Sequence, residues 1–302
     1  MNHYFEAMRL ERWPRSMAIF VGTSAFFFLH RDFLSSAIPF QMILRIFSSF
    51  LLTWGISTAN YIVNEVVDAP YDAHHPTKQN RPLLTGKIRK VPFIIMGVTL
   101  AVLSLALAYL CFSLAFFLSL TCLLFAGFIY NIRPIRTKDI PFLDSISESA
   151  NNPIRFFIGW FAFAPQALLP PLSLLICWWA FGNFLLVAKR LSEFRFLKEK
   201  AGDYRTSLKK YSQFSLSIGM AVSVLVFFAT YYHFAITYKL QYFLYISVFI
   251  VLFFALIFKK TIMEKEIMEE PERLLKHTNF AAYTIFLLFL FFIASILDKI
   301  GQ

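Results

Sequence analysis

Long apolar runs, separated by short polar segments, are the feature that most limits how this 302-residue chain can fold. Most of the runs are about 17–25 residues long, the length that an α-helix needs to cross a hydrocarbon core about 30 Å thick. They lie at residues 17–29, 38–62, 92–110, 112–130, 141–163, 170–187, 213–234, 240–258 and 279–297. We therefore predict an all-α integral membrane protein, a bundle of about nine transmembrane helices that forms a single domain over residues 1–302.

Composition agrees with a membrane protein. Hydrophobic residues make up 58% of the chain, whereas soluble domains usually contain about 45–50%. A transmembrane β-barrel would need short segments in which polar and apolar residues alternate. The apolar runs of this sequence are long and continuous instead. The lipid bilayer is therefore the first partner that we predict.

Basic residues are concentrated in the N-terminal segment and in every second polar segment after it. These segments are residues 9–15, 78–90, 133–138, 189–210 and 259–276. Because cytoplasmic loops carry an excess of Lys and Arg, we predict a cytoplasmic N-terminus and an outside C-terminus. A multi-pass chain of this kind fits the cytoplasmic (inner) membrane. Anionic headgroups then explain the net charge of +11, and we expect no nucleic acid partner.

The first acidic motif, which comprises Asn64, Asp68 and Asp72, follows the second apolar run. Its spacing of four residues places all three side chains on one face of a helix. Carboxylates near membrane depth are costly unless they face a cavity, pair with other groups or bind ions. Two carboxylates one turn apart repel each other unless a cation lies between them, and oxygen ligands suit Mg²⁺. The alternative is that the span ends here and the side chains are solvated.

Basic residues follow the first acidic motif closely, notably Lys78 and Arg81. Such donors could bind the outer oxygens of a diphosphate whose inner oxygens ligate a metal. The excess of positive charge in cytoplasmic loops explains the number of these residues but not their position beside two carboxylates.

The second acidic motif, Asp144 and Glu148, lies in the segment that opens the fifth apolar run. Its residues are again four apart, and Arg136 and Lys138 precede them. A bundle could bring both motifs to one cavity on the cytoplasmic side, where Mg²⁺ would bridge a diphosphate between two acidic walls. Arg155 follows within the same run and is a further candidate for a buried charge.

The residues of both motifs resemble the UbiA superfamily of intramembrane prenyltransferases. The pattern NxxxDxxxD with HPTKQNRPL at 75–83 is similar to the family's first Asp-rich motif, and YNIRPIRTKDIPFLD at 130–144 is similar to the second. Trp13 and Pro14 fit the family's entry to its first helix. The sequence departs from a plain DxxxD at Glu148, where it reads DxxxE.

The resemblance implies a Mg²⁺-dependent transferase that ionises a polyprenyl diphosphate and transfers the prenyl group to a lipophilic or aromatic acceptor. It implies catalytic and metal-binding roles for the acidic residues, with Asn64 as a further metal ligand: Asp68, Asp72, Asp144 and Glu148. It also implies diphosphate-binding roles for the amide of the first motif and the nearby basic residues: Asn64, Lys78, Arg81, Arg136, Lys138 and Arg155.

Residues 187–212 are similar to a loop of the polyprenyl-phosphate phosphoribosyltransferases, a branch of the same superfamily. In that branch, phosphoribosyl diphosphate loses its diphosphate and a polyprenyl phosphate is the nucleophile. Lys189, Arg190 and Glu193 are the candidates for a substrate loop that would separate the two reactions. The alternative is a solvated basic loop.

Two other functions remain open from the sequence. A multi-span transporter would also have acids within the membrane, although transporter sites usually lie near the bilayer midplane. A cyclase that closes a prenyl diphosphate on itself would share the same acidic motifs. The acceptor, the isoprenoid length and the oligomeric state are not encoded in any pattern that we recognise.

Overall fold

The computed structural model describes residues 2–35, 38–72, 78–197, 205–263 and 278–300. The secondary structure of these residues is helical, without a strand. Seven helices in this part of the chain are long and apolar enough to cross a membrane. They are α4 (Pro39–Asp72), α5 (Lys90–Cys111), α6 (Leu114–Asn131), α9 (Leu172–Leu197), α10 (Gln213–Thr237), α11 (Gln241–Met263) and α12 (Thr278–Ile300). The prediction of an all-α, multi-pass membrane protein is confirmed.

Two of the predicted runs form shorter helices. The first run, 17–29, forms α2 (Ile19–Leu29), which follows α1 (Asn2–Ala7) and a 3₁₀ helix at Leu10–Ala18. A short helix, α3 (Asp32–Ser35), comes next. The run at 141–163 becomes α7 (Leu143–Ser149) and α8 (Asn151–Phe161). Pro153 explains the interruption, because proline has no N–H to donate to the carbonyl of Ser149.

Contacts divide the chain into two compact units. The first unit contains the described residues up to Pro170 together with Arg205, and the second contains the remaining described residues. Both acidic motifs belong to the first unit. The single domain over residues 1–302 stays a prediction.

In the first unit, the short helices α2 and α8 approach each other closely at two glycines. A Cβ atom on Gly22 would lie 2.0 Å from the carbonyl oxygen of Phe156, and one on Gly159 would lie 1.8 Å from that of Ile19. Helices α2 and α8 therefore cross with their backbones in contact, as small residues allow in membrane proteins. Thr23 adds a hydrogen bond of 2.9 Å to the carbonyl oxygen of Gly159.

Helix α4 packs against both α5 and α6 and extends through the whole first acidic motif. The sequence predicted a span that ends at residue 62, but the helix continues to Asp72. The polar end of this helix is stabilised by ion pairs between its carboxylates and basic residues from other segments. The three side chains of the motif consequently lie at helical positions i, i+4 and i+8, as predicted.

The second unit consists mainly of long helices packed through aromatic rings. Helix α9 packs against α10 and α11, and α11 packs against α12. Phe254 lies 4.7 Å from Phe184 and 4.9 Å from Phe227, measured between ring centroids. Both pairs are edge-to-face, an arrangement that the charge distribution of aromatic rings favours.

Candidate active site

Asp68 faces a pair of basic side chains from the segment that follows α6. The Lys138 ammonium group donates a hydrogen bond to Asp68 Oδ1, and a guanidinium nitrogen of Arg136 lies 3.4 Å from the same oxygen. The Asp68 side chain is 21% exposed, whereas that of Lys138 is 4% exposed. Of these two side chains, Asp68 is therefore the one that an incoming ligand can reach.

A short 3₁₀ helix, Thr137–Asp139, presents Lys138 to α4. Arg136 adopts a positive φ of 31° just before it, and its Nε lies 2.8 Å from Asp139 Oδ2. The Lys138 ammonium also donates to Asn131 Oδ1 at 3.0 Å. These contacts fix the ammonium group between the end of α6 and the first acidic motif.

The pKa of Lys138 is lowered to about 8, mainly because burial disfavours the charged ammonium. The Asp68 carboxylate acts in the opposite direction and raises this pKa, while Arg136 and Arg205 lower it further. The positive charges of Arg136 and Arg205 therefore act on the same ammonium group. Three cations share this part of the site.

Asp72 belongs to a second group of ion pairs on α4. Arg81 donates a hydrogen bond to Asp72 Oδ2 and lies 3.2 Å from Glu65 Oε2. Arg9 from the N-terminal segment donates to the same Glu65 oxygen. Glu65 is buried, so the two arginines supply the positive charge that a buried carboxylate needs.

The second acidic motif is engaged by Arg205 and Tyr130. The Asp144 Oδ2 atom lies 3.6 Å from a terminal guanidinium nitrogen of Arg205. The other terminal nitrogen donates a hydrogen bond of 2.7 Å to the Tyr130 hydroxyl. That hydroxyl in turn donates to Glu148 Oε2 at 2.7 Å.

The Tyr130 ring joins the two motifs. The Lys138 Nζ atom and the central guanidinium carbon of Arg205 each lie 6.0 Å from the centroid of this ring. A continuous set of contacts therefore runs from Asp68 through Lys138, Tyr130 and Arg205 to Asp144. The structure brings the two acidic motifs together, and their catalytic roles stay predictions.

The remaining candidates are placed as follows. Asn64 is half-buried on α4, and Lys78 begins a 3₁₀ helix, but its side chain lies outside the described residues. Arg155 lies on α8, where a guanidinium nitrogen is 3.5 Å from Ser57 Oγ on α4. Arg155 thus contacts the helix that carries the first motif.

The helix that precedes the proposed substrate loop is longer than predicted, and the substrate role of the three candidate residues stays a prediction. Lys189, Arg190 and Glu193 lie within α9, in the second unit, because this helix extends beyond the predicted end at residue 187. Arg190 is buried and lies 2.9 Å from Glu193 Oε2 in an i, i+3 ion pair. The pair supports the helix, so Arg190 is not part of a solvated loop.

Four site residues were missed by sequence reasoning: Arg9, Glu65, Tyr130 and Arg205. A signal existed for Glu65, because it precedes Asp72 by seven residues and so shares its helical face. Tyr130 opens the segment 130–144 that the sequence analysis identified, although no role was assigned to it. Arg9 and Arg205 reach the site from distant parts of the chain. No spacing rule could have identified them.

The donor atoms of the first acidic motif fit a hard divalent cation. They are carboxylate and amide oxygens, which Mg²⁺ prefers. Among the described residues, no group of three or more His, Cys, Asp or Glu side chains could hold a metal ion. The carboxylates of Asp68 and Asp72 face ammonium and guanidinium groups, so a bound metal would compete with these cations for the carboxylate oxygens.

Comparison with known proteins gives one family. The UbiA prenyltransferase family matches residues 19–290. No curated protein matched the sequence.

Solved structures are similar over nearly the whole chain. Two structures of a UbiA homolog from Archaeoglobus fulgidus each give a TM-score of 0.62, one bound to GPP and Mg²⁺ and the other to Cd²⁺. The structure with GPP and Mg²⁺ is 17% identical to this chain and covers 97% of it, and the structure with Cd²⁺ is 16% identical and covers 98% of it. Each match covers 99% of the solved chain. A digeranylgeranylglyceryl phosphate synthase structure gives 0.64 at 16% identity, covering 99% of this chain and 97% of its own. Identities this low show a shared fold.

Proposed function

Because this chain belongs to the UbiA prenyltransferase family, we propose that it transfers a prenyl group from a prenyl diphosphate to a lipophilic or aromatic acceptor in a divalent-metal-dependent reaction. The observation that carries this proposal is the connected set of charges from Asp68 to Asp144. It combines carboxylates that could ligate a metal with cations that could bind phosphate. Membership of the family makes the chain an enzyme, which sets aside the transporter alternative.

The proposed reaction breaks the bond between the allylic carbon and the diphosphate oxygen, and the electron pair leaves with the diphosphate. The acceptor then bonds to the allylic carbon and loses a proton. Negative charge grows on the leaving diphosphate, so the site must stabilise an anion. Mg²⁺, when bound by the first acidic motif, would neutralise the negative charge that develops on the diphosphate.

The basic residues of the site supply the remaining contacts to the diphosphate. Lys138 and Arg136 now contact Asp68, and Arg81 contacts Asp72. In the proposed complex these cations bind phosphate oxygens, since charge-assisted hydrogen bonds to phosphate are strong and an arginine can make two of them. The change of partner keeps every buried charge compensated, which favours binding of the metal and diphosphate together.

Known neighbours support a prenyl diphosphate substrate. One Archaeoglobus fulgidus UbiA homolog structure contains GPP and Mg²⁺, and another contains DMAPP and Mg²⁺. We extend this ligand class to the present chain as part of the proposal. The concentration of basic residues in alternate polar segments supports a reaction on the cytoplasmic side of the inner membrane.

Phosphoribosyl transfer is the second candidate, and one observation favours it. Arg205 belongs to the segment 187–212 that resembles the phosphoribosyltransferase branch, and it contacts Tyr130 in the site. A residue from that segment therefore reaches the second acidic motif. In this reaction the polyprenyl phosphate attacks phosphoribosyl diphosphate, which again loses diphosphate.

A two-arm assay of the purified full-length protein tests the proposal. One arm contains Mg²⁺, GPP or a longer prenyl diphosphate, and candidate acceptors; the other contains Mg²⁺, phosphoribosyl diphosphate and a polyprenyl phosphate. Products are identified by mass and the released diphosphate is quantified. We expect a prenylated acceptor in the first arm. A product in the second arm alone would assign phosphoribosyl transfer, and cyclised product without acceptor would assign the cyclase.

A further inference from the structure

The carboxylates of both acidic motifs face cationic side chains, but the second motif also accepts hydrogen bonds from a backbone N–H and a phenol. Its carboxylates, Asp144 and Glu148, contact the backbone, a phenol and a guanidinium within 3.6 Å. The motif must therefore be considered as a binding site for a side chain as well as for a metal ion.

Asp144 is fully buried. Its Oδ1 atom accepts a hydrogen bond of 2.8 Å from the backbone N–H of Ser145, and Oδ2 faces Arg205 at 3.6 Å. A buried carboxylate without a compensating cation is strongly destabilising. Arg205 meets this need, and its side chain is only 15% exposed.

Glu148 acts on Arg205 through Tyr130. The hydroxyl group donates to Glu148 and accepts from Arg205, both at 2.7 Å. A hydroxyl that donates to a carboxylate becomes a better acceptor, because linked hydrogen bonds polarise one another. Both carboxylates of the motif therefore hold the same guanidinium, one directly and one through the phenol.

Arg205 is held next to the cations of the first acidic motif. Lys138 Nζ and the central guanidinium carbon of Arg205 lie at the same distance, 6.0 Å, from the centroid of the Tyr130 ring. An anionic group that binds Lys138 would therefore also feel the field of Arg205. Asp68, at 21% exposure, gives this region an accessible carboxylate, whereas Asp144 has none of its surface exposed.

We propose that Arg205 supplies the cation at the second acidic motif, in place of a metal ion, and that its guanidinium binds the anionic group of the substrate beside Lys138. This inference rests on the proposed function, because it assumes an anionic diphosphate in the site. It revises the prediction that Asp144 and Glu148 are metal ligands. Glu148 becomes a positioning residue for Tyr130 and Arg205, and the glutamate in place of an aspartate is no longer anomalous.

Binding of Mn²⁺ alone to the purified full-length protein, followed by the paramagnetic resonance of the free ion, tests the metal part. We expect Asp68→Asn to weaken Mn²⁺ binding about tenfold or more, and Asp144→Asn to change it less than about twofold. Equal weakening by both variants would overturn the inference and leave the proposed function standing. Unchanged binding in Asp68→Asn would contradict the metal role in the proposed function.

Steady-state kinetics test the substrate part. Arg205→Ala should raise the KM for the diphosphate substrate about tenfold or more, because a hydrogen bond to a charged group is lost. Arg205→Lys should recover part of this loss, and the control Lys209→Ala, an exposed basic residue nearby, should not change the KM. An Arg205→Ala protein with a lower Tm but an unchanged KM would reduce Arg205 to a structural role.

A double variant tests the link between the two residues. If Asp144 acts through Arg205, the variant Asp144→Asn with Arg205→Gln should lose no more activity than the more damaged single variant. Independent losses that multiply in the double variant would instead assign a separate role to Asp144. Thermal melting of all three proteins keeps folding defects apart from loss of binding.

Discussion

The two units of this protein use buried charge in different ways. In the first unit, charged side chains contact one another across helices and connecting segments, as in the pair of Asp68 with Lys138. In the second unit, buried Arg190 pairs with Glu193 within a single helix. Asp298 accepts hydrogen bonds from the backbone N–H groups of Tyr242 and Phe243 at 2.8 and 3.2 Å. Arg195 donates to the carbonyl oxygens of Thr261 and Ile262, close to the other end of the same helix.

The difference teaches which charges are available to a ligand. The first and last backbone groups of a helix have no partner within it, and an opposite charge at each end also suits the helix dipole. Asp298 and Arg195 thus stabilise the two ends of α11 and cannot leave without cost. Ion pairs between side chains of separate segments, which the first unit contains, can by contrast exchange one partner for a metal or a phosphate. Chemistry is therefore expected in the first unit.

The largest effect is expected from the first acidic motif. Asp68→Asn and Asp72→Asn should each lower kcat about 10²–10³-fold or more, because the charge that holds the metal beside the leaving group is removed. Product formation by mass and Mg²⁺ titration measure the loss, and thermal melting in detergent checks folding. Full turnover in either folded variant would remove that residue from the metal site.

A smaller effect is expected from Lys138→Ala. The variant should raise the KM for the diphosphate substrate about 10–100-fold, since a charge-assisted hydrogen bond to the phosphate is lost. Lys138→Arg keeps the charge and serves as the matched variant. A loss in kcat with no change in KM would show that Lys138 acts on the transition state alone and would sharpen the account of the site.

Glu148→Gln should lower turnover by only about three- to tenfold, because the glutamine can still accept the hydrogen bond from Tyr130 but lacks the negative charge. Its requirement for Mg²⁺ should not change if Glu148 positions Tyr130 and Arg205. A higher Mg²⁺ concentration at half-maximal rate would return Glu148 to the metal ligands.

The smallest effect on activity is expected in the second unit. Asp298→Asn should reduce the free energy of unfolding by about 1 kcal/mol, because the charge near the start of α11 is lost, and should leave turnover at permissive temperature unchanged. Melting curves and turnover assays on the same preparation compare the stability and the activity of Asp298→Asn with those of Asp68→Asn. A large loss of turnover in folded Asp298→Asn protein would break the distinction between the two units.

The sequence predicted what depends on local spacing. The apolar runs predicted the helical class, and intervals of four residues predicted that the first acidic motif shares one face of a helix. The end of α9 was placed too early, because hydrophobicity alone does not reveal the ion pair of Arg190 with Glu193 that continues the helix. The end of a helix that depends on polar contacts is therefore harder to predict from sequence than the apolar central part of the same helix.

Partners distant in sequence could not be predicted in the same way. Arg9 is 56 residues from Glu65, and Arg205 is 75 residues from Tyr130. Such pairs depend on how the helices pack, which no local pattern contains. The acidic motifs were therefore identified as a site, while the groups that compensate their charge came from the structure.

Equilibrium binding of a prenyl diphosphate such as GPP to the purified protein tests the central claim most directly. It is measured for wild type and for Asp68→Asn, each with and without Mg²⁺. The account predicts that Mg²⁺ strengthens binding to wild type by about tenfold or more and that Asp68→Asn abolishes this dependence. Binding that is equal in both proteins and indifferent to Mg²⁺ would contradict it.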